Sequence, residues 1–106
     1  SGRLEWDLPA AALEARIRGF HPWPGSWTWF RGKVIKIFPP VVLGPDAGGS
    51  PGTILGLDPL RGLGVGTGEG SLWIQRVQLE GKRAVDAAAF VNGARLTAGE
   101  AFDTDG

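Results

Sequence analysis

Short stretches of strand-forming residues, each bounded by glycine, proline or aspartate, constrain the fold of this chain more than any other feature. Five such stretches occupy residues 26–30, 33–38, 53–57, 63–66 and 71–79. Their β-branched, aliphatic and aromatic side chains favour the pleated, half-buried surface of a sheet. Because the stretches are short and closely spaced, they predict a mainly β fold, either an antiparallel barrel or a sandwich.

Glycine and proline separate these stretches, with 18 glycines and 8 prolines among 106 residues. That share approaches the composition of disordered chains. Five Trp and five Phe indicate a packed core instead, because disordered chains are poor in aromatic residues. We therefore expect one domain over residues 1–106, with the glycines in turns between strands.

A first helix is predicted at about residues 9–18. Proline opens this segment, where its missing N–H costs little, and strong helix formers follow. Ala10, Leu13 and Ile17 recur on one helical face. Gly19 is well placed to end the helix in a left-handed conformation.

A second, short helix is predicted to begin at Asp86, an acceptor suited to a helix start, and to stop at the following Asn-Gly pair. Arg95 and Leu96 are expected to return as a last strand. The strands then form a barrel over about residues 26–98, and residues 99–106 form a frayed acidic tail.

The last of the five predicted strands, residues 71–79, contains a change of phase. Its apolar residues alternate at Leu72 and Ile74 and again at Val77 and Leu79. The second pair, however, begins three positions after Ile74 and not two or four. Since side chains alternate with a period of two, this step requires a bulge or a face switch near Gln75-Arg76.

Several kinds of chemistry find no support in the residues. The chain has no cysteine and one histidine, so we expect no metal site. No apolar run approaches the roughly 20 residues that span a bilayer, and no leader is recognised. The glycines at residues 64–70 and the Gly81-Lys82 pair lack the spacing of phosphate-binding loops. Residues 103–106 supply only the opening of a calcium loop. His21 has no acid beside it, so no catalytic set is expected.

Charge is unevenly distributed, although the formal net charge is +0. Residues 15–45 contain five basic residues and no acid, whereas residues 98–106 contain three acids and no base. Without that last segment, 11 basic residues stand against 8 acidic ones, a balance of +3. This distribution is compatible with a basic patch for nucleic acid and equally with charges that only solvate the surface.

The stretch GFHPWPGSWTWF concentrates aromatic residues immediately before several cations. Trp23 and Trp27 lie in and just after a rigid Pro-Trp-Pro-Gly turn, and we expect both indoles to pack the first helix against the sheet. Trp6 and Trp73 are expected to be structural as well. Trp29 is the ring that we expect to be exposed.

Nine short motifs follow one another along the chain. They are PA (9–10), IRGF (17–20), PWPGSWT (22–28), GK (32–33), IKI (35–37), PGTI (51–54), GSL (70–72), LEGKR (79–83) and AAFVNGARL (88–96). Each motif is weak alone, but their ordered combination, over about Leu4 to Phe102, resembles the carboxy-terminal domain of the methionyl-tRNA formyltransferase family. The glycine-rich loop with Asp46, the acid at position 86 and the zero net charge depart from that pattern.

The resemblance implies a small OB-like Greek-key antiparallel barrel that holds initiator tRNA. In that family a separate amino-terminal, Rossmann-like domain of the same chain binds 10-formyltetrahydrofolate and carries the catalytic Asn, His and Asp. The resemblance therefore implies no catalytic residue, cofactor, metal or membrane partner for these 106 residues. It also implies a cytoplasmic protein, bacterial or organellar, that acts in translation initiation.

Basic side chains on or beside strands are the predicted RNA contacts, because a strand holds them in fixed directions toward phosphates. Ile35 and Ile37 alternate with Lys36, so Lys36 points outward if the isoleucines face the core. Arg18 is a weaker candidate, since Glu14 lies one helical turn before it. The predicted tRNA-binding residues are Lys33, Lys36, Lys82 and Arg83, followed by Arg16, Arg18, Arg31, Arg76 and Arg95.

Two other functions remain open at this point. The first is a non-catalytic docking module of another folate-dependent formyltransferase, which binds no nucleic acid and uses its apolar surface to hold a catalytic domain. The second is an oligosaccharide-binding barrel in which Trp29 and Trp73 serve as stacking platforms.

Overall fold

An antiparallel sheet with two helices forms the fold in the computed structural model, which describes residues 2–45 and 49–103. In chain order its elements are α1 Ala10–Phe20, β1 Ser26–Phe30, β2 Lys33–Gly44, β3 Ile54–Asp58, β4 Gly62–Gly66, β5 Ser71–Leu79, β6 Val85–Asp86 and α2 Ala87–Ala94. The predicted mainly β fold with two helices is confirmed. Residues 46–48 of the glycine-rich loop and residues 104–106 of the acidic tail lie outside the described residues.

The strands form one sheet in the order β1-β2-β5-β4-β3, and β6 pairs with β5. The observed bounds of β1 and β5 are those predicted, and β3 and β4 differ from prediction by one residue at their ends. β2 is longer than predicted, because it continues through two prolines to Gly44. The two-residue strand β6 was not predicted, since it is too short to show a sequence pattern.

The irregularity predicted near the middle of β5 is present, but the extra residue lies in the neighbouring strand. Phe38 pairs with Arg76 and Val41 pairs with Ile74, so three steps along β2 oppose two steps along β5. The bulge is therefore at Pro39-Pro40 of β2. Proline suits this position, because a bulged residue need not donate an N–H to the ladder. On its other edge, β5 changes partner from β4 to β6 at the same level.

Helix α1 packs its buried face on the sheet through Leu13 and Ile17, as its periodicity predicted. It extends two residues beyond the predicted end, so Gly19 lies within the helix and does not terminate it. His21 follows in an extended conformation, with φ −85° and ψ 137°. In the described part of the chain, no helix is long and apolar enough to cross a membrane.

Helix α2 begins at Asp86 as predicted, because the carboxylate accepts a hydrogen bond of 2.8 Å from the N–H of Ala89. It ends at Arg95, whose left-handed φ of 51° caps the helix, shortly after the predicted Asn-Gly stop. The predicted strand at Arg95 and Leu96 is therefore wrong. Leu96 instead turns into the core, where it is buried.

Residues 99–103, predicted as the start of a frayed tail, lie between the two outer strands of the sheet. The N–H of Ile54 in β3 donates to the carbonyl of Glu100 at 2.7 Å. On the other side, the N–H of Asp103 donates to the carbonyl of Trp29 in β1, also at 2.7 Å. This segment thereby links β1 to β3 and closes the barrel. Phe102 within it is only 2% exposed.

The tryptophans are distributed differently from the prediction. Trp6 and Trp73 are buried, as expected. Trp23 is 85% exposed, so its predicted packing role is wrong. Trp29, expected to be exposed, is half-buried and packs edge-on against Trp27, with ring centroids 5.2 Å apart. The indoles of β1 are held against each other on the outer face of the sheet, whereas the turn before β1 projects Trp23 into solvent.

Candidate nucleic-acid interface

Lys36 projects from the outer face of the barrel, as the alternation in β2 predicted. Its neighbours Ile35 and Ile37 are buried, while Lys36 itself is exposed. The register places Lys36 opposite Trp27 in β1 and Gln78 in β5. Lys36 therefore projects from the middle strand of a three-strand surface.

Arg76 shares this outer face. It lies in β5 two residues from Gln78, the partner of Lys36, and is therefore a diagonal neighbour of Lys36, within reach of a long side chain. Its guanidinium donates to the carbonyl of Ala84 at 3.3 Å. Asp86 lies opposite Arg76 in β6, but the Asp86 carboxylate caps α2. The strand pairing thus brings two of the predicted cations together.

Lys82 and Arg83 extend the surface beyond the end of β5. The side-chain amide of Gln78 donates to the carbonyl of Lys82 at 2.9 Å, which ties the following loop to the outer face. Both cations border a groove of about 260 Å³ beside α2, whose floor includes Phe90. Two of the predicted residues, Lys36 and Arg76, thus share the outer face of the sheet, and two, Lys82 and Arg83, follow at the end of β5 beside the groove. We call this set the cationic surface: Lys36, Arg76, Lys82 and Arg83.

In the part of the chain that the structure describes, carboxylates form no ion pair with the cationic surface. Among residues 2–45 and 49–103, no carboxylate oxygen lies within 4.0 Å of the charged groups of the cationic surface. Glu80 is a second acid beside this surface, in addition to Asp86: together with Lys36 and Gln78 it lines a shallow depression. The Glu80 carboxylate accepts a hydrogen bond from the N–H of Val34. Sequence reasoning overlooked Glu80 and Gln78, whose roles follow only from the strand register.

Lys33 and Arg95 are exposed at one end of the barrel and not on its outer face. Lys33 pairs with Phe30, which faces the core, so Lys33 and Lys36 project from opposite faces of β2. The Phe30 ring contacts Phe90 beneath the groove beside α2, with centroids 5.1 Å apart. Lys33 therefore lies on the face of the sheet that carries Phe30, and the structure separates it from Lys36.

Arg31 is committed to an internal contact. Its guanidinium binds the Glu100 carboxylate at 2.8 Å and the Ala94 carbonyl at 2.8 Å, and it lies over the Phe30 ring. Hydrogen bonds from the Thr97 N–H and from Arg31 hold the pKa of Glu100 below its ordinary value. Arg31 therefore fastens the closing segment 99–103 to the end of α2, which makes it a poor phosphate contact.

Two cations on α1 are also set apart from the cationic surface. Arg18 forms an ion pair with Glu14 at 2.9 Å, as the sequence spacing suggested, and this pair lowers the pKa of Glu14. Arg16 lines a polar groove of about 610 Å³. The other lining residues are the amino-terminal residues 2–7, among them Arg3, together with Pro51 and Asp103. Arg16 and Arg18 therefore lie on α1 and not on the strands that carry Lys36 and Arg76, and their contact with RNA stays a prediction. Within the described residues, no cluster of three or more His, Cys, Asp or Glu side chains is arranged to hold a metal ion.

Residues 99–103 close the small β barrel, two helices pack on it, and the cationic surface lies outside it. This arrangement defines an OB-like domain. Residues 1–95 match the family model described as "Formyl transferase, C-terminal domain". The chain belongs to this family, and the resemblance found in the sequence motifs is confirmed.

Curated relatives carry the name methionyl-tRNA formyltransferase. The protein of Solibacter usitatus is 41% identical over 99 residues, which cover 93% of this chain and 31% of the relative. The protein of Myxococcus xanthus is 44% identical over 98 residues, which cover 92% of this chain and 30% of the relative. The chain thus spans less than a third of the length of these relatives.

Solved structures share the fold at lower identity. A variant of HypX from Aquifex aeolicus superposes with a TM-score of 0.71 at 20% identity, over 92% of this chain and 18% of HypX. HypX in complex with tetrahydrofolic acid gives a TM-score of 0.68 at 21% identity, over 84% of this chain and 16% of HypX. At this identity the likeness concerns the fold alone.

Proposed function

We propose that this domain holds initiator tRNA while a separate amino-terminal domain of the same protein formylates the methionyl group. In this proposal the formyl donor is 10-formyltetrahydrofolate, and the protein acts in the cytoplasm of a bacterium or in an organelle. The family and the names of its relatives support the formyltransferase context. The observation that carries the RNA-binding role is the cationic surface, whose charges have no carboxylate partner in the described residues. No residue of this chain receives a catalytic role.

The physical basis of the proposed binding is phosphate neutralisation. A lysine or arginine that meets a phosphate releases condensed counterions, so affinity falls as the salt concentration rises. Lys36 and Arg76 stand on paired strands, which fix their separation better than a loop does. Such contacts orient an RNA without reading its sequence. The domain would therefore position the tRNA and leave recognition of its acceptor end to the catalytic domain.

The two alternative functions differ in their support. The oligosaccharide-binding barrel loses one of its two platforms, because Trp73 is only 6% exposed and Arg61 covers its ring at 3.8 Å. The other platform, Trp29, is half-buried against Trp27. A docking module without nucleic acid remains the competing hypothesis. It differs from the proposal in one respect: it requires no salt-dependent retention of tRNA.

The test measures initiator tRNA affinity as a function of salt for the wild type and for Lys36→Ala with Lys82→Ala. We expect the double variant to bind more weakly at low salt and to lose about one unit of log–log salt slope per lysine. Arg18→Ala removes one positive charge, at an exposed cation that is paired with Glu14, and should change the slope little. An unchanged slope in the double variant refutes the cationic surface and favours the docking module.

Glu80 offers a test in the opposite direction. Its carboxylate lies beside Lys36 and repels phosphate, yet it also accepts from the N–H of Val34. Glu80→Gln removes the charge and keeps an acceptor oxygen, so it should tighten tRNA binding at low salt and leave the unfolding midpoint nearly unchanged. Weaker or identical binding by this variant would show that RNA does not approach this side of the barrel.

A further inference from the structure

Trp23 is a large hydrophobic side chain that the fold leaves without a packing role. It is 85% exposed, although it lies between Pro22 and Pro24 in the turn that joins α1 to β1. The N–H of Gly25 donates to the carbonyl of Phe20 at 2.8 Å and closes this turn. The prolines restrict the backbone further. The indole is therefore presented on a fixed support, which lowers the entropic cost of binding a ligand there.

The surroundings of Trp23 connect it to the cationic surface. Trp23 and Lys36 border the same depression of about 70 Å³, together with His21 and Phe38. The His21 ring stands edge-on to Phe38, with centroids 6.4 Å apart, and so the turn is anchored to β2. None of the residues that line this depression, all of which belong to the described part of the chain, is acidic. An aromatic residue and a lysine thus border one depression.

We propose that Trp23 stacks on the base of an unpaired nucleotide whose adjoining phosphate is bound by Lys36. This inference rests on the proposed RNA-binding function and deepens it by naming a site for single-stranded RNA. Every base offers a π face to an indole, and stacking of this kind tolerates any sequence. A protein partner would also cover Trp23, but the acid-free depression with Lys36 favours a polyanion.

The experiment compares two RNA duplexes without loops, one blunt at both ends and one with a single-stranded overhang, as ligands of the 106-residue chain. Trp23→Ala should weaken binding of the overhang RNA by about tenfold, and leave binding of the blunt RNA unchanged. Trp23→Phe keeps an aromatic face and should retain most of the affinity. Leu60→Ala, at an apolar residue that is 89% exposed in the turn between β3 and β4, is the matched control and should have no effect.

The outcomes separate this inference from the function on which it rests. If Lys36→Ala weakens both RNAs while Trp23→Ala weakens neither, phosphate binding stands and stacking is refuted. If Trp23→Ala weakens both RNAs equally, the indole does not distinguish unpaired nucleotides, and the inference is also wrong. If the wild type binds neither RNA, both proposals fail. Protection of the Trp23 indole from a fluorescence quencher by the amino-terminal domain, but not by overhang RNA, would assign it to protein docking.

Discussion

Substitution of Phe102 by alanine tests the least expected feature of the fold, the closure of the barrel by residues 99–103. If the barrel were complete without this segment, removal of the Phe102 ring would lower the free energy of unfolding only slightly. In the structure, however, the Phe102 ring stacks on Trp6 at 5.7 Å and meets Phe30 edge-on at 5.8 Å. It belongs to the same hydrophobic cluster as the strands and both helices.

The expected cost follows from the burial of this ring. Phe102 is 2% exposed, and an aromatic side chain of this type buries at least about 150 Å². At about 25 cal/mol per Å², that area corresponds to about 4 kcal/mol. This value agrees with the range of about 3–5 kcal/mol for Phe→Ala in protein cores. Neighbouring side chains can relax into part of the space that the ring leaves, so the lower end of this range, about 3 kcal/mol, is the expectation.

Urea and thermal unfolding, followed by tryptophan fluorescence and circular dichroism, measure this cost. For a domain of this size, 1 kcal/mol corresponds to about 4–8 °C, so Phe102→Ala should lower Tm by about 12 °C or more. Leu60→Ala serves as the control, because its side chain is almost fully solvated. A loss below about 1 kcal/mol for Phe102→Ala, close to that of an ordinary surface change, would refute closure of the core by this segment.

Three further predictions concern stability. Gly64→Ala places a Cβ 2.5 Å from the Trp73 indole and should lower the free energy of unfolding by about 1–3 kcal/mol. Gly93→Ala has open space in α2 and should raise it by about 0.5 kcal/mol. Urea unfolding of both variants measures the contrast. Asp86→Ala removes the α2 cap and should cost about 0.5–2 kcal/mol in the same assay. Glu100→Gln should destabilise near neutral pH. The pKa of Glu100 is lowered in the fold. The stability that its carboxylate contributes is therefore present above the unfolded-state pKa and is lost as the pH falls through the folded-state pKa. The difference in free energy of unfolding between Glu100→Gln and the wild type should thus shrink in acid.

Most of the fold could be predicted because its strands obey local rules. β1 and β5 carry alternating or strongly apolar patterns between clear turn residues, and their bounds were predicted correctly. The extension of β2 through Pro39-Pro40 could not be predicted, because proline argues against a strand unless a bulge accommodates it. The position of that bulge depends on the register between β2 and β5, which is a long-range property.

The candidate site was predictable in kind but not in arrangement. The alternation in β2 correctly placed Lys36 outward, yet it also implies that Lys33, three residues earlier, lies on the other face. The exposure of Trp23 was missed, because an aromatic residue in a turn has no period that assigns it to a face. The ion pair of Arg31 was missed because its partner, Glu100, comes from a segment far along the chain.

The zero net charge of the chain no longer argues against a polyanionic partner once the charges are placed. The acids Glu14, Asp58, Glu100 and Asp103 each form an ion pair with an arginine in the structure. Closely paired charges largely cancel beyond a Debye length of about 8 Å at physiological salt. The four arginines concerned lie outside the cationic surface, so much of the acidic charge is compensated elsewhere. These pairs remove equal numbers of both signs and leave the net charge at +0. The case for a polyanionic partner therefore rests on the local excess of cations at the cationic surface, where four cations lie beside Glu80 and Asp86, and the salt dependence of binding should reflect these cations and not the formal charge.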